Sequence, residues 1–310
     1  MWLKDIVPEV NVKTVLVAGA AGYLGRYVAV EFARRGYRVR AFVRDAEKLK
    51  VPGHGLSPAI HGIVHDVFVG DATAPETLRG LCDGIDVVFS SMGLSRSGGK
   101  ATWEDVDHAG NRNLLGLAIG AGVGKFVYVS VFRPEAMPAG EVVLAHERFV
   151  DDLKASGIPY AVVRPNAYFS DMAQFLEIAR GGHLFWLGDG SGKINPIHGE
   201  DLATLCVDAA EGDAKELEAG GPEMFTYRTL FELAFQAVGK EPRITFIPLW
   251  LGEAALAVLR LISPKLAGGA AFFVEVARMD NDAPPYGSHR LKDYFMQAET
   301  ATVTPNRNRP

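Results

Sequence analysis

Apolar positions along this chain recur with two alternating periods, and their order predicts buried strands separated by amphipathic helices. Val15-Leu16-Val17-Ala18 is a short continuous apolar run, as a strand covered on both faces requires. From Tyr23 to Arg35 the spacing turns helical, with Leu24, Val28 and Phe32 recurring four residues apart. Further strands are predicted over residues 37–43, 63–69, 85–90, 125–131 and 158–164, and helices over 73–81, 103–120 and 138–156. Residues 51–62, rich in Gly, Pro and His, read as a loop. Strands and helices alternating at this rhythm specify an α/β fold, a doubly wound parallel sheet with helices on both faces.

Beyond Pro165 the rhythm breaks. Residues 183–187 and 193–197 flank Gly188-Asp189-Gly190-Ser191-Gly192, the pattern of a hairpin or of two short irregular strands. Helical stretches follow over 201–210, 227–238, 249–262 and 268–278, then a Pro/Gly loop over 281–287. The division expected is a dinucleotide-binding sheet domain over 1–165 and a smaller, mostly helical substrate-binding part over 166–300, interleaved with it. A flexible polar tail over 301–310 completes it.

Three glycines, Gly19, Gly22 and Gly25, stand between the first strand and the first helix. Gly19 allows a tight turn, Gly22 lets a pyrophosphate approach the backbone, and Gly25 lets helix pack on strand. The pyrophosphate would sit on the free N–H groups and positive end of the helix. With 34 glycines in 310 residues, such a triplet arises readily by chance, and the competing reading is a turn that binds nothing. The strand–turn–helix context favours the cofactor. Open parallel sheets bind ligands beyond the carboxyl ends of their strands. That rule selects Arg44, Asp71 with Ala72, Ser90-Ser91-Met92, Ser130 and Arg164-Pro165-Asn166.

Composition narrows the partners. Hydrophobic residues make up 48% and charged residues 22%, as in an ordinary soluble globular protein. A net charge of −5 without a Lys/Arg cluster leaves no footprint for nucleic acid. Two cysteines, Cys82 and Cys206, imply no disulfide framework and fit a reducing compartment, the cytoplasm. The first nine residues carry Lys4, Asp5 and Glu9 and no apolar centre, so they do not read as a secretory signal. The greasiest region, 246–276, is broken by Glu253, Arg260, Lys265 and Glu275, so no integral membrane segment is expected. Its stretch 249–262 reads as a core or lid helix, with a peripheral membrane contact as the alternative. No CxxC occurs and the histidines are scattered, so no metal is expected. There is no GxSxG elbow and no Walker lysine.

With these residues in hand, the chain resembles the atypical short-chain dehydrogenase/reductase family. The likeness rests on Gly19/Gly22/Gly25, Val43-Arg44-Asp45, Gly70-Asp71-Ala72, Asn111-Arg112-Asn113, Val127-Tyr128-Val129-Ser130 and Val163-Arg164-Pro165. Asn195-Pro196-Ile197-His198-Gly199-Glu200-Asp201 looks like the family's late segment that closes the substrate side, and the ending resembles the divinyl chlorophyllide 8-vinyl reductase-like branch. The resemblance implies a Rossmann-type fold and an NAD(P)(H) cofactor. Its contacts would be Gly19, Ala21, Gly22, Tyr23, Leu24, Gly25, Arg44, Asp71, Ala72, Ser90, Ser91, Met92, Ser130, His146, Pro165 and Asn166. Arg44 at the tip of strand two suits the 2′-phosphate of NADP, where an acid would select NAD. Asp71 in this family meets the adenine amino group; it also reads as a helix cap for Thr73 onward.

The departure from the family matters most. Its catalytic members carry Tyr-x-x-x-Lys on the helix after strand five, and here those positions hold Val142 and His146. Valine donates no proton, so carbonyl reduction through that pair is not expected. His146 could hold the nicotinamide ribose or act as an acid, against the plainer reading of a structural histidine. Ser130 falls at the family's catalytic serine, and Tyr168 is a replacement donor or an aromatic that packs. His198 and Asp201 read as a helix-start network. Phe169, Phe175, Phe185 and Trp186 are expected to make the substrate pocket apolar. Two functions follow: an NADPH-dependent reductase of an apolar, conjugated small molecule, with a homodimer as an open option, or a non-catalytic NADP-binding sensor or assembly protein similar to NmrA-like regulators.

Overall fold

The structure, a computed structural model, describes residues 12–94, 101–136, 140–263 and 277–303, together with 267, 271, 274 and 275. Seven parallel strands form the central sheet: β1 (Thr14–Ala18), β2 (Arg38–Val43), β3 (Asp66–Val69), β4 (Val87–Ser90), β5 (Lys125–Val129), β6 (Tyr160–Pro165) and β9 (Glu216–Ala219). Their spatial order is β3-β2-β1-β4-β5-β6-β9, with Val15 opposite Val39 on one side and Val87 on the other. The order reverses between β1 and β4, which opens a crevice beyond their carboxyl ends.

Strand alternation sends side chains to two separate cores. Val15 and Val17 pack beneath α1 (Tyr23–Arg34) and α5 (Gly199–Glu211), whose Leu24, Val28, Phe32, Leu202 and Cys206 are buried with them. Leu16 and Ala18 face the other way, beneath α2 (Asn111–Gly120) and α3 (Glu141–Ala155), with Leu114, Phe126, Tyr128 and Phe149. The four-residue spacing of Leu24, Val28 and Phe32 is thus the seam by which α1 lies on the sheet.

A third core lies outside the sheet. Here α4 (Phe169–Gly181), α6 (Tyr227–Ala237) and α8 (Leu291–Val303) bury Phe169, Phe175, Phe231, Phe235 and Phe295 together. Of the two readings of residues 183–197, two short separate strands form and not a hairpin: β7 (Leu184–Leu187) pairs in parallel with β11 (Ile244–Ile247), and β8 (Lys193–Ile194) pairs antiparallel with β10 (Phe225–Thr226). The glycine-rich link therefore sends its two strands to different partners. Sequence periodicity also passed over α4, α8 and β9. The strand β9, Glu-Leu-Glu-Ala, is at the sheet's edge with a half-exposed face, so it lacks the apolar run of a central strand. Helix α7 (Leu249–Ile262) has the expected bounds, and most of 268–278 lies outside the described residues; of the tail expected over 301–310, residues 301–303 belong to α8 and 304–310 lie outside the described residues. Among the described residues, no helix is long and apolar enough to cross a membrane.

The predicted helix 103–120 begins as a π-helical segment, Glu104–Gly110, and continues as α2. Wider turns of this kind accompany functional sites. Here the segment brings the buried Asp107 beneath the loop that leaves β4.

Candidate functional site

The site starts from a backbone conformation that only glycine adopts without strain. Gly19 leaves β1 with φ +84°, and a Cβ on it would stand 3.0 Å from the Ser91 carbonyl oxygen. The Gly22 amide donates to the Gly19 carbonyl at 2.8 Å and closes the turn. A Cβ on Gly25 would run into that same carbonyl, so α1 can cross β1 this closely only with glycine there. Gly22 then caps α1 without a side-chain hydrogen bond, and the first turn holds no acidic residue. The first amides of α1 and its positive end are left for an anion, as a dinucleotide pyrophosphate requires.

Behind the turn, Arg26 is 2% exposed and donates to four backbone carbonyls: Ala21, Lys48, Val51 and Pro58. It pairs with no carboxylate among the described residues, and burial lowers its pKa. The guanidinium fork thereby staples the turn to the loop that follows β2. On that side Arg44 is exposed, with no hydrogen bond or ion pair among the described residues. Asp45 behind it caps a 3-10 turn by accepting from the Glu47 amide at 3.0 Å, as expected of it.

Asp71 accepts from the Thr73 amide at 2.9 Å and hydroxyl at 2.8 Å, so its capping role is present in the fold. These bonds hold its carboxyl below the usual range, and the charge of Arg44 adds to them. The buried Asn111 takes the Ser90 hydroxyl at 2.6 Å and donates to the carbonyls of Met92 and Asp107. Asn113 donates to the Ala72 carbonyl at 2.9 Å. Two asparagines of one helix thus fix the loops after β3 and β4. Ser90, whose hydroxyl is spent on Asn111, shapes the loop, and Ser91 and Met92 offer backbone.

His146 sits differently from the expectation. Its Nδ1 shares a hydrogen bond of 2.6 Å with the Tyr128 hydroxyl, and its Nε2 stands 3.2 Å from Asp107 Oδ1. That oxygen is close enough for ion pairing, yet no aligned hydrogen bond reaches it. Both ring nitrogens therefore face protein groups in the core between α2, α3 and β5. A ribose hydroxyl would have to displace one of them, so the ribose-holding role gives way to the structural one. Ser130 is also committed: its hydroxyl donates to Glu147 at 2.7 Å and accepts from Arg164 at 3.2 Å. Arg164 closes a bidentate pair with Glu147 at 2.7 and 2.9 Å. Burial opposes the charge of Glu147, but hydrogen bonds from Arg164 and Ser130 hold its pKa below the usual value.

Tyr168 packs edge-on against Tyr23, beside α1, and burial pushes its phenol far up. It is placed as a packing aromatic, since so weak an acid is a poor proton donor. Phe169 and Phe175 fill the third core, Trp186 stacks on Tyr227 at 4.5 Å, and Phe185 is 65% exposed. Three of the four aromatics expected around one pocket thus share the third core, where Phe175 meets Trp186 edge-on at 6.4 Å, and Phe185 lies outside it. Asn166, beside Pro165, donates to Asn195 Oδ1 at 2.8 Å, and Asn195 donates on to the carbonyls of Gly221 and Ala283. The late segment is thereby tied to the end of β6. His198 caps α5 by accepting from the Glu200 amide at 3.2 Å, as predicted. Sequence reasoning quoted Arg26 and Asn111 within motifs but gave them no role, and it missed Asp107 and Glu147.

An NAD(P)H-binding family model matches residues 19–213. The chain belongs to that family. It is 30% identical to divinyl chlorophyllide a 8-vinyl-reductase of Oryza sativa subsp. indica, covering 91% of this chain and 77% of that one. It is 25% identical to the photosystem II assembly factor Ycf39 of Trieres chinensis, over 87% and 83% of the two chains. Among solved structures, Citrobacter sp. triphenylmethane reductase complexed with NADP(H) superposes with a TM-score of 0.69 at 20% identity, covering 92% of this chain and 99% of that one. An NADPH-dependent quinone oxidoreductase from Escherichia coli gives 0.65 at 20% identity, over 94% and 100%. These two share the Rossmann-like fold of this chain.

Two predictions separate architecture from cofactor contact. His146→Ala leaves the buried Tyr128 hydroxyl without its hydrogen-bond partner and Asp107 Oδ1 without its neighbouring imidazole, and is expected to cost about 2–3 kcal/mol of stability. NADPH affinity should stay within about twofold in calorimetry; a tenfold loss with unchanged stability would restore the ribose role. Glu147 has a folded pKa below its unfolded one, so its contribution is present above the unfolded value, about 4.3, and is lost as pH falls through the folded value. Glu147→Gln should therefore cost about 2–4 kcal/mol near pH 7 and progressively less below about pH 4.5 in urea melts. A difference independent of pH would show that the pair is not the cause.

Proposed function

We propose that this chain is an NADPH-dependent reductase that adds hydride to a conjugated carbon–carbon double bond of a largely apolar small molecule. The observation that carries the reading is the uncapped glycine turn together with what surrounds it: a fit for the dinucleotide, and no acid of ordinary strength at the family's proton-donor positions. Gly22, Tyr23 and Leu24 would hold the pyrophosphate, and Arg44 the 2′-phosphate of NADP, since it is exposed and free of protein partners among the described residues. Bound there, the nicotinamide supplies hydride chemistry. The chain contributes orientation: Asn111 and Asn113 fix the loops on which it lies, and Arg26 fixes the turn to the loop after β2.

Proton supply decides between substrates. Val142 has no exchangeable proton, the Ser130 hydroxyl is spent on Glu147, and the Tyr168 phenol is buried. Ketone reduction needs an acid at the carbonyl oxygen as hydride arrives. A conjugated double bond spreads the charge that hydride delivers over its conjugated system, so the proton that completes the reduction can come from solvent. The vinyl reductases that resemble this chain are, by name, reductases of a carbon–carbon double bond. A second reading, an NADP-loaded assembly or sensor protein, draws on the likeness to Ycf39. It draws also on the exposed apolar residues of α7, with Trp250 at 64%, Leu261 at 87% and Ile262 at 75%.

Arg44→Asp should weaken NADPH binding by about 1.5–3 kcal/mol through loss of a charge-assisted phosphate contact, and leave NADH binding unchanged or improved. Equal losses for both cofactors in calorimetry would make Arg44 structural only. NADPH oxidation followed with a panel of enones, vinyl-substituted aromatics, quinones and simple ketones should show turnover on a conjugated acceptor and none on the ketones. No turnover on any acceptor, with NADP still bound, would move the assignment to the assembly or sensor reading.

A further inference from the structure

We propose that His198, Glu200 and His289 form a Zn²⁺ site that clamps the C-terminal helix α8 to the first turn of α5. The ring nitrogens and the carboxylate of these three residues lie within 4.8 Å of one another. His289 Nε2 and Glu200 Oε2 are 3.5 Å apart. Zinc bonds of about 2.0–2.1 Å in a tetrahedral site put ligand atoms about 3.3–3.5 Å apart, so this pair already has the separation a shared ion needs. Three protein ligands leave a fourth position for water.

The surroundings are built as such a site is built. His289 Nδ1 is 2.8 Å from Asp201 Oδ1, while Asp201 Oδ2 accepts the amides of Ser288 and His289 at 3.0 Å each. Asp201 is 8% exposed and so anchors the 288–289 backbone from inside the fold. The His289 Nδ1 faces that carboxylate, so Nε2 is the ring nitrogen left for an ion beside Glu200, the arrangement in which a carboxylate orients a zinc-binding imidazole. The His198 ring stacks on His289 at 4.2 Å and 21°, so one of the two imidazoles turns out of the stack for both in-plane lone pairs to meet the ion.

His198 is the ligand that must give something up. Its Nδ1 accepts the Glu200 amide at 3.2 Å, a long bond, so coordination exchanges the α5 cap for the metal. The positive end of α5 opposes a cation, and the carboxylates of Glu200 and Asp201 offset it. Imidazole and carboxylate together suit a borderline divalent ion such as Zn²⁺ and are a poor set for Mg²⁺. Asp201 and His289 stand 88 residues apart, which is why no ligand spacing appears in the sequence.

The test uses the full chain freed of metal with EDTA and titrated with Zn²⁺. One equivalent should bind, raise the unfolding temperature by several degrees at saturation, and leave no comparable response to Mg²⁺. Co²⁺ should bind at the same stoichiometry and give the visible absorption of a four-coordinate ion. Glu200→Gln, at an exposed position, and His289→Ala should each lower Zn²⁺ affinity at least tenfold, while His183→Ala should not. Absence of saturable Zn²⁺ binding, or equal affinity in Glu200→Gln and the unaltered chain, would overturn the site. It would leave His289 as a side chain that bridges Asp201 and Glu200.

Discussion

The contact between α1 and β1 at Gly19 and Gly25 is the constraint on which the rest of the structure depends. A helix that starts this close to the end of a buried strand aims its first amides at the switch point of the sheet. It can do so only if no Cβ intervenes and no side chain caps it, and both conditions hold here. The remaining architecture protects that arrangement. The Leu24/Val28/Phe32 seam buries α1 against β1 and α5, so the helix cannot tilt away from the strand without exposing its apolar stripe. Arg26 adds a polar lock from beneath, joining the turn to a loop that carries no regular structure of its own beyond short 3-10 turns.

A buried guanidinium satisfied by carbonyls alone is an unusual choice, because its charge is desolvated without a counter-ion. Its location explains it. A carboxylate at Arg26 would cancel the positive field behind the glycine turn, whereas carbonyls fix the fork and leave the charge in place. The same economy appears at Arg44, which makes no hydrogen bond or ion pair among the described residues, and contrasts with Arg164, which is tied into a bidentate pair with Glu147. The chain thus keeps unpaired positive charge near the turn and neutralises it beneath β5 and β6.

Much of this was legible in the sequence, because the central strands are short continuous apolar runs and α1 has a clean helical stripe. The glycine turn, the cap at Asp45, the α5 cap at His198 and the bounds of α7 all follow from local patterns. What local patterns do not encode is pairing. The two strands around Gly188–Gly192 left a hairpin open as one reading because their separation was short, yet each pairs with a strand further along the chain. The edge strand β9 escaped because an edge has one half-exposed face and no apolar run. His146 was found by register with a ribose-holding and a structural role both open: its position on α3 is readable, but its partners come from β5 and from the π-helical segment. Asp107 could not be anticipated, since its burial depends on that segment's wider turns.

The two networks beneath the site differ in what they permit. Ser130, Glu147 and Arg164 form a closed set in which the hydroxyl donor and four guanidinium and carboxylate contacts are matched, so it rigidifies the ends of β5 and β6 and has no proton to spare. Asp107, His146 and Tyr128 form an open set, with one carboxylate oxygen lacking an aligned donor. An unmatched buried acceptor costs stability unless something else approaches it. Its other oxygen accepts the Leu94 amide at 3.0 Å, so it is coupled directly to the loop after β4 that frames the cofactor side of the crevice. A shift of that loop would redistribute the bonds of Asp107 and His146 together, while the closed set on β6 stays fixed. The adaptable part of the site therefore lies on the β4 side, and the rigid part lies at β5 and β6.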